Sequence, residues 1–210
     1  SAAPIPADKY FGFDMSATLN AEDSSIIDVV LSIKDVKEEL HAVEFLLNFD
    51  PALVEGVVQE SEAPMDVFMT KVPMYTMVVQ GMEFQMPRYE QICTYEPENK
   101  YYHLRFIDLL QYASAKPGEE YHGLINDGDL VVTIQFKVLD TVANGDELVF
   151  AMLDGSVKGT TRETVEGVKG FANTATTVIG AAAPSVEPSV EPSVEPSVEP
   201  SVEPSVEPSV

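Results

Sequence analysis

Residues Leu40 to Gln59 read LHAVEFLLNFDPALVEGVVQ, and their pattern decides the fold class. Val43, Phe45, Leu47 and Phe49 fall at every second position, the period of a strand that buries one face, until Asp50-Pro51 interrupts it. An Asp carboxylate can bond the backbone ahead of it and Pro fixes φ, so a turn is expected there, followed by a short strand over residues 52–58. The residues in between, Ala42, Glu44, Leu46 and Asn48, point to the opposite face. A large apolar residue such as Leu46 opposite a buried row predicts either a covered strand or a binding patch.

The same period recurs on both sides of this stretch. Phe11, Phe13, Met15 and Ala17 alternate with smaller or polar residues over 10–19, and residues 26–36 are rich in β-branched side chains. Further strands are expected over 101–109, 130–139, 147–153 and 172–179. Residues 60–99 hold most of the Met residues together with Pro73 and Pro87, which predicts two or three irregular strands joined by bends. Residues 110–115 suit a single helical turn, and a short helix is expected around 162–168 within a polar loop. Asn144-Gly145, both tolerant of positive φ, predicts a hairpin between 130–139 and 147–153. About nine short strands without a long helix predict an all-β antiparallel sandwich.

Composition bounds the partners. The formal net charge of -23 and a pI near 4.2 make nucleic acid and anionic membranes poor partners and favour a cationic or metal-loaded protein. No apolar run approaches the roughly 18 residues of a membrane span. Cys93 stands alone, which excludes a disulfide framework or a Cys-rich metal site. From Pro184 the chain repeats PSVE to its end. A proline in every unit removes a backbone donor and the Glu charges repel, so this segment is expected to be a disordered, extended Pro/Glu-rich linker. The expected organisation is a leader over 1–8, one sandwich domain over 9–182 and the linker over 183–210. The absence of an initiator Met suggests trimmed protein, and the ending in mid-repeat suggests a continuation.

Catalytic and metal motifs are lacking. His41, His103 and His122 have no paired ligand spacing, and there is no G-x-S-x-G, H-E-x-x-H or phosphate-binding Gly loop. Asn126-Asp127-Gly128-Asp129 lacks the alternating oxygens and distal Glu of an EF-hand, so a turn before a strand is expected. Abundant carboxylates alone do not make a glycosidase pair.

Four segments in order, FLLNFDPALVEGV (residues 45–57), GDLVVTIQFKVLDT (128–141), NGDELVF (144–150) and GFANTATTVIG (170–180), resemble a cohesin module of bacterial cellulosomal scaffoldins. The resemblance spans most of residues 8–182. It implies a nine-stranded jelly-roll sandwich that binds a dockerin, a small calcium-loaded helical module, and so tethers enzymes or scaffoldins for polysaccharide degradation. No enzymatic activity and no cofactor in this chain are implied, with calcium on the partner. The resemblance further implies an extracellular protein, attached to the cell surface through a C-terminal continuation, and monomeric when unbound. It places the docking face on the third, fifth, sixth and eighth strands. Carried over, the positions are Ala42, Glu44, Leu46 and Asn48 on the third strand, and Phe150 and Met152 on the eighth, with the opposite parity of the eighth strand left open. The longer Met-rich run between 60 and 102 departs from compact members and leaves the cohesin type open. A carbohydrate-binding module of similar sandwich architecture is the rival reading, against which the absence of Trp counts, because sugar rings commonly stack on flat aromatic platforms.

Overall fold

The computed structural model describes residues 5–37, 40–57, 74–87, 89–108, 125–161 and 167–180. Among these residues the chain forms β1 (Gly12–Leu19), β2 (Ile26–Lys34), β3 (Ala42–Asn48), β4 (Val54–Gly56), β5 (Met74–Val79), β6 (Met82–Pro87) and β7 (Tyr89–Glu96). After a 3-10 turn at Pro97–Asn99 come β8 (Tyr101–Asp108), β9 (Val131–Val138), β10 (Glu147–Met152), β11 (Lys158–Thr160), β12 (Val168–Lys169) and β13 (Thr174–Val178). No α-helix is found among the described residues, so the all-β expectation holds.

Two sheets face each other. The back sheet runs β1-β2-β9-β4. In the front sheet β8 pairs along the whole of β3, with β7 beyond it. The other edge of β3 is shared, since β11 pairs at Ala42 to Glu44 and β10 at Leu47 and Asn48. Outside these lie β12 on β11 and β13 on β10. All these pairings are antiparallel, as a sandwich of this kind requires.

The apolar alternation read from the sequence is what fuses the sheets. Val43, Phe45, Leu47 and Phe49 are all buried, and they meet Phe13, Ile27, Val29, Leu31, Val132, Ile134 and Phe136 of the back sheet in one core. Ring contacts cross the interior, with Phe13 5.2 Å from Phe45, and Phe136 5.2 Å from Phe49 and 4.7 Å from Phe150. Each such side chain contributes about 1.5 to 3 kcal/mol of burial, enough to hold β3 flat against the back sheet. One edge of the sandwich is closed by Asn173, whose Nδ2 donates to the Phe13 carbonyl at 2.7 Å, and by the Phe171 N–H donating to the Phe11 carbonyl at 2.8 Å.

Several expectations are corrected. Asn144-Gly145 does form a turn, with Gly145 at φ 95°, but it does not make a hairpin. β9 belongs to the back sheet and β10 to the front, so the turn lies in an arch between sheets. The reason is that Phe136 and Phe150 are both core residues and satisfy each other across the sandwich rather than along one sheet. The Asp50-Pro51 turn also crosses sheets; Asp50 Oδ1 accepts from the Ala52 N–H at 2.9 Å, as expected, and β4 joins β9. Residues 158–160 and 168–169, expected as loop and helix, are strands that extend the front sheet. Residues 162–166 and the helical turn expected at 110–115 lie outside the described residues, as does the PSVE segment. Finally, β5 and β6 form a separate two-stranded sheet closed by Gln80-Gly81, both at positive φ.

Candidate functional site

The outer face of the front sheet is the side of β3 that does not build the core. Its composition follows from register. Ala42, Glu44, Leu46 and Asn48 stand opposite Ile107, Arg105, His103 and Tyr101 of β8. Those in turn stand opposite Glu90, Ile92, Thr94 and Glu96 of β7. On the other side Thr160 and Lys158 of β11 face Ala42 and Glu44, and Ala151 of β10 faces Asn48. The four β3 residues are each half-buried, as positions within a continuous sheet surface should be. The structure therefore places all four on one face.

Phe150 and Met152 do not join them. Phe150 is 0% exposed and Met152 4%, and both pack in the core. The outward parity of β10 is Glu147, Val149 and Ala151, with Val149 44% exposed. The physical reason is visible in ELVFAM: Leu148, Phe150 and Met152 are the larger apolar set, and the interior takes the set with more area to remove from water. Phe150 also has a ring partner in Phe136, which a surface position would forfeit.

Each remaining member has a local role. Glu44 Oε2 lies 3.3 Å from His103 Nε2, and both side chains are partly exposed, so this contact orders the middle of the face without contributing much stability. Leu46 sits where the edge of β3 passes from β11 to β10. Its N–H donates to Ser156 Oγ at 3.1 Å and its carbonyl accepts from the Leu153 N–H at 2.9 Å, so the turn of residues 153–157 is pinned beside it. Asn48 is partly committed to structure: its Nδ2 donates to the Lys100 carbonyl at 2.8 Å, holding the turn where Lys100 adopts φ 61°. Next to it, the Tyr101 hydroxyl is held protonated above its ordinary range, chiefly by a hydrogen bond to Glu96.

Sequence reasoning missed the β8 and β7 contributors. The signal was present in YYHLRFID, where Tyr102, Leu104 and Phe106 are buried and Tyr101, His103, Arg105 and Ile107 share the outer face with β3. Ile92, 39% exposed, adds an apolar residue at the β7 edge. The face is thus a mixed surface, with Leu46, Ile92, Ile107, Ala42 and Ala151 interspersed among charged and hydroxyl side chains. Among the described residues no three His, Cys, Asp or Glu side chains converge to hold a metal. No described helix is long and apolar enough to cross a membrane.

No protein-family model and no curated protein matches the sequence. Solved structures resemble its fold. Those similar to this chain are cohesin modules. The third ScaC cohesin of Acetivibrio cellulolyticus, solved with the ScaB dockerin, is 15% identical, with a TM-score of 0.45 over 80% of this chain and 98% of its own. The cohesin module of a Clostridium perfringens family 33 glycoside hydrolase is 10% identical, with a TM-score of 0.49 over 81% and 97%. The seventh ScaB type I cohesin of Pseudobacteroides cellulosolvens is 17% identical, with a TM-score of 0.46 over 85% and 97%.

Proposed function

We propose that this chain is a non-catalytic receptor of the cohesin kind, whose front sheet binds a dockerin and so tethers an enzyme or scaffoldin in an extracellular assembly. One observation carries the reading: β3 buries Val43, Phe45, Leu47 and Phe49 and presents Ala42, Glu44, Leu46 and Asn48 together on a broad exposed sheet face. The sequence resemblance supplies the class of partner. The docking residues are then Ala42, Glu44, Leu46 and Asn48, joined by His103, Arg105 and Ile107 of β8, by Ile92 of β7 and by Val149 and Ala151 of β10. In this reading calcium belongs to the partner, and the free receptor is a monomer.

A phage-displayed library of dockerin modules, panned on the immobilised chain in calcium and again with a chelator, tests it. Dockerins should be enriched only in calcium. Leu46→Asp, a surface change checked for fold by circular dichroism, should abolish their capture. Failure to enrich any dockerin, or capture indifferent to Leu46→Asp, overturns the reading. Retention of the chain in cellulose or xylan gels without any protein partner would favour a carbohydrate-binding module instead.

A further inference from the structure

The front sheet carries a line of charge that runs against the rest of the molecule. Among 35 acidic and 12 basic residues, three of the basic ones fall in a single cross-strand row. Arg105 of β8 stands opposite Glu44 of β3, Glu44 stands opposite Lys158 of β11, and Lys158 stands opposite Lys169 of β12. At the spacing of neighbouring strands this row is roughly 14 Å long. Arg105, Lys158 and Lys169 are all exposed.

Among the described residues nothing neutralises the row. Glu44 is the one carboxylate in it, and its Oε2 is turned to His103 at 3.3 Å. Among the described residues no carboxylate closes an ion pair on Arg105, Lys158 or Lys169, whereas Lys34 elsewhere does find Asp14 at 2.8 Å. Lys158 and Lys169 are directly opposite one another, an arrangement that destabilises a sheet. Lysines on an edge strand can be explained as protection against edge pairing, and that account fits Lys169 on β12. It does not fit Lys158 or Arg105, whose strands are paired on both sides.

An anionic segment brought by a partner relieves the Lys158–Lys169 repulsion and meets cations along the row, while the surrounding acidic surface repels anions that arrive elsewhere. Resting on the reading of this face as a dockerin receptor, we propose that the Arg105–Glu44–Lys158–Lys169 row is the polar half of the docking site and takes a carboxylate-bearing segment of the dockerin. Ile92, which continues the same row beyond Arg105, and Leu46 in the next row on β3 supply apolar contacts on either side of β8. The row then sets which dockerins are accepted: those with Asp or Glu facing β11 and β12 are favoured, and those with Lys or Arg there are rejected.

The test uses dockerins enriched on the wild-type chain and the double variant Lys158→Glu/Lys169→Glu, whose exposed positions leave the core untouched. Affinity should weaken by about tenfold or more, wild-type affinity should fall as sodium chloride is raised, and an Asp/Glu→Lys change in the dockerin should restore binding to the variant. Dockerins that bind the variant as tightly as wild type, yet lose affinity for Leu46→Asp, overturn the row and leave the receptor reading standing. Tighter binding to the variant overturns it as well and identifies a basic partner surface. If no dockerin binds wild type, the receptor reading fails and the row is decided separately with the peptide Ac-Asp-Glu-Asp-Glu-Asp-Glu-NH2. Amide shifts confined to Arg105, Lys158 and Lys169, lost in the double variant, support an anion site; no shifts, or shifts spread over the surface, overturn it.

Discussion

Gly56→Ala is the substitution that most directly tests how β4 closes the sandwich beneath the front sheet. Gly56 is buried at the end of β4, and a Cβ built on it would lie 1.4 Å from the Tyr102 hydroxyl oxygen and 2.6 Å from its Cζ. Tyr102 has no room to retreat. It is fully buried, stacked on Tyr95 at 4.6 Å, and packed against Phe49 at 5.4 Å and Phe136 at 5.5 Å. Tyr95 in turn accepts a hydrogen bond from the Gly56 N–H at 3.3 Å, so the strand and both rings move together or not at all. Restoring ordinary contact needs an opening of about 2 Å, and overpacking of that kind in a dense interior costs about 2 to 3 kcal/mol. For a domain of this size that lowers Tm by roughly 5 to 10 °C. Urea unfolding followed by Tyr fluorescence and circular dichroism should show the loss as a shifted midpoint with an unchanged slope. In a Tyr102→Phe background the 1.4 Å contact disappears while the 2.6 Å contact remains, so the cost should shrink by about 1 kcal/mol without vanishing. A loss below about 0.5 kcal/mol, or one unchanged by Tyr102→Phe, would refute the packing described for β4 and β8.

Phe150→Ala should destabilise by about 3 to 5 kcal/mol and Val149→Ala by less than about 0.5, read from the same urea curves; the reverse order would restore Phe150 to the surface. The proton of Tyr101 is retained to higher pH because Glu96 accepts its hydrogen bond, so any stability this link lends is present below the ordinary Tyr range and lost as pH rises through the raised value. Glu96→Gln should accordingly bring phenolate absorbance forward to lower pH in a spectrophotometric titration, and an unmoved titration would deny the contact. Amides of residues 76–85 should exchange with solvent far faster than those of β2 and β9, because a two-stranded sheet paired with neither larger sheet is marginal by itself. Exchange as slow as that of the core strands would mean the hairpin packs on a surface.

The buried half of the fold was legible because two-residue periodicity reports burial directly. Phe11, Phe13 and Ala17, and likewise Val43 to Phe49 and Tyr102 to Phe106, are apolar on one parity and mostly polar or small on the other, and each buried set lies where the alternation puts it. Periodicity carries no information about which strand lies beside which. Asn144-Gly145 shows the consequence: the turn formed, but its flanking strands entered different sheets because their aromatic partners lay across the interior. ELVFAM shows a second one. Both parities are largely apolar, so alternation alone did not select a face, and side-chain volume did. β11 and β12 are too short, at three and two residues, for any period to be read; β11 forms on the edge that β3 offers, and β12 on β11.

That last fact bears on function more than on fold. In the sequence Glu44 stands only as an outward position of the third strand, with Ala42 and Leu46 beside it on that face. In the sheet its neighbours are Arg105 on one side and Lys158 on the other, delivered by β8 and by the short β11 that no local pattern announced. A carboxylate already set between two cations is a poor lone receptor for a third, because much of its field is spent within the molecule. Arg105, Lys158 and Lys169 outnumber the single carboxylate in their row, a balance that suits recognition of an anion there. Topology thus sets three cations in the row of the one carboxylate that the chain places on β3, and sequence-local reasoning, which sees only the chain neighbours of Glu44, has no means of reaching that row.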